Sequence, residues 1–279
     1  MMRIAVTGAT GFIGTRLIQH LQPCNKVLPL SRSPAGNFPS LDLSQPTTLR
    51  SALESIDVDM VVHAAGMARR AQCTLNPQLA KLINVDATRA IAEWSAARSI
   101  RMIFLSSVGI DEDNVYADTK RQAEQAIEEV GVNASVLRLA YTFGMSTSES
   151  RPKPQMRLEN EMRDRGSEVF DRAWKFQPTS LTHMCKVVGS LVDENISIPR
   201  IANIVTTEAT TMHALASVCS GRDVRSSTDY HERGSKFIDT SHLVLARLPT
   251  CSLSELHDEL RCLRYAAPQP SNTMETRQD

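Results

Sequence analysis

The sequence predicts a doubly wound α/β fold built on a parallel sheet, and three observations predict it. Short apolar, β-branched runs alternate with segments of helical apolar spacing through the first ~145 of 279 residues. The first run stops at a glycine turn. The composition, 42% hydrophobic and 22% charged, is that of an ordinary globular chain long enough to bury a large core. Parallel neighbours need crossover connections, so this alternation implies a sheet covered on both faces.

Arg3 to Thr7 is the first strand, and Phe12, Ile13, Leu17, Ile18 and Leu21 recur at helical spacing behind the turn. Strands then follow at Lys26–Leu30, Val58–Ala64, Arg101–Leu105 and Ser135–Leu139. Helices fall between them at Thr47–Ile56, Pro77–Ser99 and Val115–Val130. After Gly144 the polar, proline-punctuated stretch from Ser146 to Pro152 marks a boundary. Beyond it, Pro154–Arg165, Leu181–Asp193, Thr210–Cys219 and Ser252–Leu263 read as helices and Ile201–Thr206 as a strand. The expected division is an α/β domain over 1–145, a small mixed region over 146–265 interleaved with the core, and a polar, proline-bearing disordered tail over 266–279.

Charge and cysteine usage exclude several classes of partner. Thirty-one basic residues balance thirty-one acidic ones, which removes the electrostatic case for nucleic acid or an acidic membrane surface. Six scattered cysteines show no C-x-x-C pair and no zinc spacing, so no metal and a reducing compartment are expected. No apolar run approaches the ~20 residues of a membrane span. The expectation is a cytoplasmic protein with a small-molecule ligand.

The glycine turn carries the first chemistry. Thr7-Gly8-Ala9-Thr10-Gly11-Phe12-Ile13-Gly14 lies between the first strand and the first helix, where a dinucleotide pyrophosphate rests on helix N-terminal amides. Gly8 permits the turn, Gly11 lets backbone approach phosphate, and Gly14 allows close helix–strand packing. Thr10, Phe12 and Ile13 complete the loop. About 20 residues on, where a carboxylate would grip the ribose of NAD, Leu30-Ser31-Arg32-Ser33 offers a hydroxyl and a cation instead. Arg32 suits the extra phosphate of NADP, with a solvated surface arginine as the alternative. Asp42 and Leu43 are candidates for the adenine.

Tyr116 and Lys120 open a helix on one face, one turn apart. An ammonium beside a phenol is expected to lower its pKa and make it a proton carrier near neutrality; Lys120 could also hold the nicotinamide ribose. Ser106-Ser107 ends an apolar strand at its carboxyl edge, where parallel sheets place ligands, so Ser107 could bind a substrate oxygen. His63 reads as a packed strand histidine, and Ala64-Ala65-Gly66 after it as small residues suited to passage of a cofactor.

With these motifs in order, the chain resembles the extended short-chain dehydrogenase/reductase superfamily, specifically the NAD-dependent epimerase/dehydratase family, over roughly residues 3–220. Thr7–Gly14 resembles its T-G-x-x-G-x-x-G, Asp42-Leu43 its adenine pair, His63–Gly66 its strand-end motif, and Asn84–Thr88 its N-V-x-x-T. Ser106-Ser107 resembles its catalytic serine region, Tyr116–Lys120 its Y-x-x-x-K, and Arg138–Gly144 the stretch after the last core strand. Three departures stand out: a short link from Ser107 to Tyr116, Leu139 where proline is common, and His183 where an acidic residue often lies.

The resemblance implies a Rossmann-type fold and an NAD(P)-dependent oxidoreductase or epimerase. Tyr116 would carry the proton, Ser107 orient the oxygen and Lys120 tune the tyrosine, with Asn84 supporting the active-site helix. The implied substrate is a nucleotide-activated sugar, changed by 4-epimerisation or 4-keto reduction, with NADP preferred over NAD. A reductase of another ketone and a non-catalytic NADP sensor are the alternatives. A homodimer is the assembly allowed for. Arg151, Arg157, Arg163 and Arg165 lie where a diphosphate could be held, although most such arginines are plain surface charges.

Overall fold

In a computed structural model of the chain, residues 1–33, 39–150, 152–193, 200–228 and 237–266 are described. Arg151 and the expected tail from 267 onward lie outside them. Six parallel strands form the central sheet: β1 (Arg3–Thr7), β2 (Lys26–Leu30), β3 (Met60–His63), β4 (Arg101–Ser107), β5 (Ala134–Leu139) and, later in the chain, β9 (Ile201–Ile204). Their spatial order is β2-β1-β3-β4-β5-β9, reversing direction at β1/β3. Ligands of open α/β sheets bind at the carboxyl ends beside such a reversal.

The helices of the first half are α1 (Phe12–Leu21), α2 (Pro46–Glu54), α3 (Arg70–Leu75), α4 (Pro77–Lys81), α5 (Ala87–Ala97) and α6 (Val115–Val130). The second half adds β6 (Thr142–Phe143), α7 (Lys153–Arg163), β7 (Phe170–Asp171), β8 (Thr179–Ser180), α8 (Leu181–Asp193), α9 (Met212–Ser220), β10 (Ser226–Ser227), α10 (Ser241–Leu245) and α11 (Leu253–Ala266). The chain therefore returns to the core: α8 packs on α1, and β9 pairs with β5.

Apolar side chains fill both faces of the sheet. One layer joins Leu17, Ile103, Leu137, Met184 and Leu191 beneath α1 and α8; the other joins Leu49, Ile91, Phe104 and Ile127 beneath α2, α5 and α6. Strands buried on both faces read as continuous apolar runs, as β3 and β4 do. A third cluster, around Phe143, Phe170, Leu215 and Leu260, is the core of the small region. Among the described residues, no helix is long and apolar enough to cross a membrane, and all six cysteines are free thiols.

Candidate active site

The glycine turn is shaped by backbone contacts that leave no room for side chains. Gly8 has φ +71°, and a Cβ there would meet the Ala65 backbone at 3.0 Å. At Gly14 a Cβ would lie 2.1 Å from the Gly8 oxygen. Gly11 caps α1, whose first turn carries no acidic residue. The amides opening a helix have no intrahelical acceptors, so these face outward as anion donors. The Phe12 side chain is buried in the core, which leaves its backbone for any ligand contact. The polar segment after β6 covers this turn: the Ser146 hydroxyl donates to the Phe12 carbonyl (2.8 Å) and the Ser148 hydroxyl to that of Thr10 (2.7 Å).

Thr7 couples the turn to its neighbours. Its hydroxyl accepts from the Ala65 amide (3.1 Å) and lies 2.7 Å from His63 Nδ1, to which it donates because Thr88, donating its own proton to the Asn84 carbonyl, must accept from His63 Nε2. That assignment puts the His63 proton on Nε2, which faces the Thr88 hydroxyl at 3.0 Å; Thr88 in turn donates to the Asn84 carbonyl (2.7 Å). Complete burial holds the His63 pKa at about 3, so the ring is neutral and structural. A single directed hydrogen-bond chain thus runs from β1 to the helix beside the catalytic residues.

Asn84 sits in a π-helical turn, Leu82–Asp86, between α4 and α5. Such turns swing side chains out of helical register and recur at functional sites. Its amide clamps the Met67 backbone, accepting from N at 2.7 Å and donating to O at 3.1 Å, and also donates to the Thr119 hydroxyl at 3.0 Å. Gly66 lies in this clamp: a Cβ there would fall 3.0 Å from Asn84 Oδ1 and 3.9 Å from Lys120 Nζ. Ala64, Ala65 and Gly66 therefore link the glycine turn on one side to the Tyr116 helix on the other.

Asn114 caps α6, its side chain accepting from the Ala117 amide, and Gly131 in the left-handed region ends it. Tyr116 is half-buried, and its phenol is hydrogen-bonded to Ser107 at the carboxyl end of β4. The short link thus keeps Ser107 at the phenol. Ser107 also accepts from the Gly109 amide at 3.1 Å. Lys120 is buried, with Nζ donating to the Leu105 carbonyl (2.8 Å) and lying 4.6 Å from the centre of the Phe104 ring. Here the structure corrects the sequence expectation. Burial pushes the Tyr116 pKa up rather than down, with Ser107 and Arg70 opposing it, and Lys120 spends its charge on a carbonyl and a ring instead of on the phenol. At neutral pH the phenol holds its proton and is ready to donate it.

Burial lowers Lys120 to about 8, against the pull of Glu124. Between that value and the unfolded ~10.4, the folded chain binds fewer protons than the unfolded one, so this residue's contribution to stability rises with pH across the window and is lost as pH falls towards 8. Lys120→Met should therefore gain most on wild type at pH 7, with the difference in melting temperature shrinking towards pH 10. Thermal melts across that range test it; a difference independent of pH would contradict it.

The network behind the site is ionic. Glu124, one turn after Lys120, is 9% exposed at its side chain and takes a forked contact from Arg138 of β5 (Nε–Oε1 3.0 Å, Nη2–Oε2 2.6 Å) and a hydroxyl from Ser106. It ties α6 to β4 and β5. Nothing in the residue spacing announces this triangle, nor Thr7 as a hub, nor the Ser146 and Ser148 contacts.

At the adenosine end, Arg32 is exposed after β2, where its backbone carbonyl accepts from Ser40 Oγ at 2.9 Å. Asp42 folds onto its own turn, accepting from the Ser44 amide and hydroxyl, which together with the nearby Arg32 charge hold its carboxyl below the usual range. Leu43 is buried. Leu139 packs in the core, and His183 is buried with Nε2 on the Pro249 carbonyl (2.8 Å), so both departures are structural. Arg157 pairs with Glu168, and Arg163 with Asp164.

Residues 2–110 match a family described as the RmlD substrate binding domain. A UDP-2-acetamido-2,6-beta-L-arabino-hexul-4-ose reductase of Pseudomonas aeruginosa is 34% identical over 152 residues, 51% of this chain and 36% of the reductase. The beta subunit of methionine adenosyltransferase 2 from Bos taurus is 24% identical over 215 residues, 71% of this chain and 64% of the subunit. The chain thus spans less than two thirds of either relative. The fold matches a Bacillus anthracis dTDP-4-dehydrorhamnose reductase in complex with NADP at TM-score 0.79, with 15% identity, covering 95% of this chain and 98% of the other. It matches a Thermotoga maritima UDP-glucose 4-epimerase with UDP-glucose at 0.77, with 18% identity, covering 95% and 99%.

Proposed function

We propose that this chain is an enzyme of the extended short-chain dehydrogenase/reductase type and that it performs NADP-dependent hydride transfer at the 4-position of a nucleotide-activated sugar, as a 4-ketoreductase or 4-epimerase in the cytoplasm. The observation that carries the reading is the glycine cradle that a Cβ would fill, joined through Ala64 to Gly66 to the head of the helix that bears Tyr116 and the buried Lys120. The cradle fits a dinucleotide: Gly8, Gly11, Gly14 and the first amides of α1 would hold its diphosphate, Ala64 to Gly66 would line its path, and Asp42 and Leu43 would face the adenine. When bound, the nicotinamide supplies or takes up a hydride. Tyr116 passes its phenolic proton to the substrate oxygen in reduction and recovers one in the reverse direction. Ser107 orients that oxygen, and Lys120 stands behind Gly66, where a ribose hydroxyl could displace the Leu105 carbonyl as its acceptor.

Purified protein incubated with NADPH and a panel of nucleotide-linked 4-keto sugars should lose absorbance at 340 nm with at least one member. A nicotinamide that co-purifies would instead favour the epimerase, which must retain its cofactor through a redox cycle. A second reading, a non-catalytic dinucleotide-binding subunit, draws on the longer match to the methionine adenosyltransferase subunit. Tight NADPH binding with no turnover on any substrate would favour it.

Arg32 is proposed to select NADP. A charge-assisted contact to the 2′-phosphate is worth about 1.5–3 kcal/mol, or roughly ten- to a hundredfold in affinity, before screening at so exposed a site. Arg32→Ala should weaken NADPH binding selectively, more at low salt than at moderate salt. Equal losses for NADPH and NADH, measured by titration, would make it a surface charge.

A further inference from the structure

Every carbonyl of the glycine turn from Gly8 to Phe12 accepts a hydrogen bond. The Gly11 amide closes on the Gly8 oxygen (2.9 Å), and the Thr15 hydroxyl is shared between the oxygens of Gly11 (2.8 Å) and Ala9 (3.2 Å). Those bonds are local. The Thr10 and Phe12 oxygens instead take the hydroxyls of Ser148 and Ser146, 138 and 134 positions along the chain. Each serine oxygen is also an acceptor, Ser146 for the Ser148 amide (3.3 Å) and Ser148 for the Ser150 amide (3.1 Å), which directs each proton to the turn. The segment is rooted in the small region. Its first residue, Gly144, donates its amide to Gln155 of α7 (3.2 Å), and a Cβ there would lie 2.7 Å from that of Leu181 at the start of α8.

A turn offers its amides to an anion only while its carbonyls point elsewhere, because a carbonyl oxygen is the negative end of the peptide dipole. In a planar trans peptide the carbonyl and the following amide point in opposite directions, so drawing the Phe12 oxygen to Ser146 turns the Ile13 amide toward the cradle. Ser148 does the same for the Thr10–Gly11 peptide from a site only 6% exposed, where no bulk water can stand in for it. We propose that Ser146 and Ser148 are positioning residues for the dinucleotide: the small region lends two hydroxyls that hold the turn's carbonyls away from the diphosphate, a role that rests on the proposed dinucleotide function and deepens it. Dinucleotide affinity then depends on a segment outside the dinucleotide-binding domain.

The test is calorimetric titration of NADPH into wild type, Ser148→Ala and Ser146→Ala, beside ligand-observed NMR of adenosine 2′-monophosphate, which carries the adenosine end without a diphosphate. A buried carbonyl left without its donor is costly, so Ser148→Ala should weaken NADPH binding roughly tenfold and Ser146→Ala, at a half-buried site, by less. Both should bind adenosine 2′-monophosphate as wild type does. Thr147→Val removes the segment's exposed tie to Gln19 (3.0 Å) and should change neither affinity. Unchanged NADPH affinity in both serine variants, or equal losses for the two ligands, would overturn the proposal. So would a loss in Thr147→Val as large as that in Ser148→Ala, since any tether of the segment would then serve. A wild type that binds neither NADPH nor NADH fails differently: it removes the dinucleotide reading itself, and the role of the serines with it.

Discussion

Tyr116→Phe is expected to lower turnover by at least ~100-fold while leaving NADPH affinity nearly unchanged, since the loss of a positioned acid costs about that much. The phenyl ring keeps the packing of the head of α6, and only the hydroxyl that Ser107 engages is removed. Steady-state kinetics with a 4-keto substrate, together with a fluorescence titration of NADPH, separate the two quantities. Near-normal turnover would remove Tyr116 from the mechanism. A large loss of NADPH affinity would instead show that the phenol anchors the nicotinamide ribose.

Gly14→Ala should abolish dinucleotide binding more completely than any substitution at the adenosine end. The new methyl would lie 2.1 Å from the Gly8 oxygen and 2.8 Å from its carbonyl carbon, and neither backbone atom can swing aside as a flexible side-chain end can. α1 must therefore move off the turn and take its amides with it. A displacement near 1 Å can cost roughly 100-fold at a precisely assembled site, and overpacking of this kind roughly 1–3 kcal/mol of stability. Gly131→Ala is the control. It strains a left-handed helix cap at φ +72° with nothing within 4 Å of the added methyl, so it should lose stability and keep NADPH binding. Calorimetric titration of both variants decides the matter; NADPH affinity retained in Gly14→Ala would show that the cradle is looser than its contacts imply.

Some of the fold was legible to the residue. Val115–Val130 and Leu181–Asp193 end in the structure where their periodicity predicts, and the first of these carries an asparagine cap before it and a glycine after it. Periodicity makes Pro77–Ser99 a single helix because it cannot register the single extra residue of a π turn, yet that turn is what aims Asn84 at Met67 and Thr119. α3 and α10, at six and five residues, are too short for a periodic signal. The strand at Ile201–Ile204 was visible, but its place beside β5 was not, because that pairing joins positions some 65 residues apart.

The candidate site divides along the same line. The glycine turn, Tyr116, Lys120 and the serine at the end of β4 could be named from sequence because each rests on local spacing: a turn that needs a missing side chain, or a helix that repeats in 3.6 residues. What those groups do to one another was decided only by the tertiary structure. Lys120 turns to Leu105 and Phe104, Ser107 meets the phenol across a short link, and Ser148 reaches the Thr10 carbonyl from 138 positions along the chain. Electrostatics depends on distance through space and on exclusion of water, and neither is a property of sequence separation.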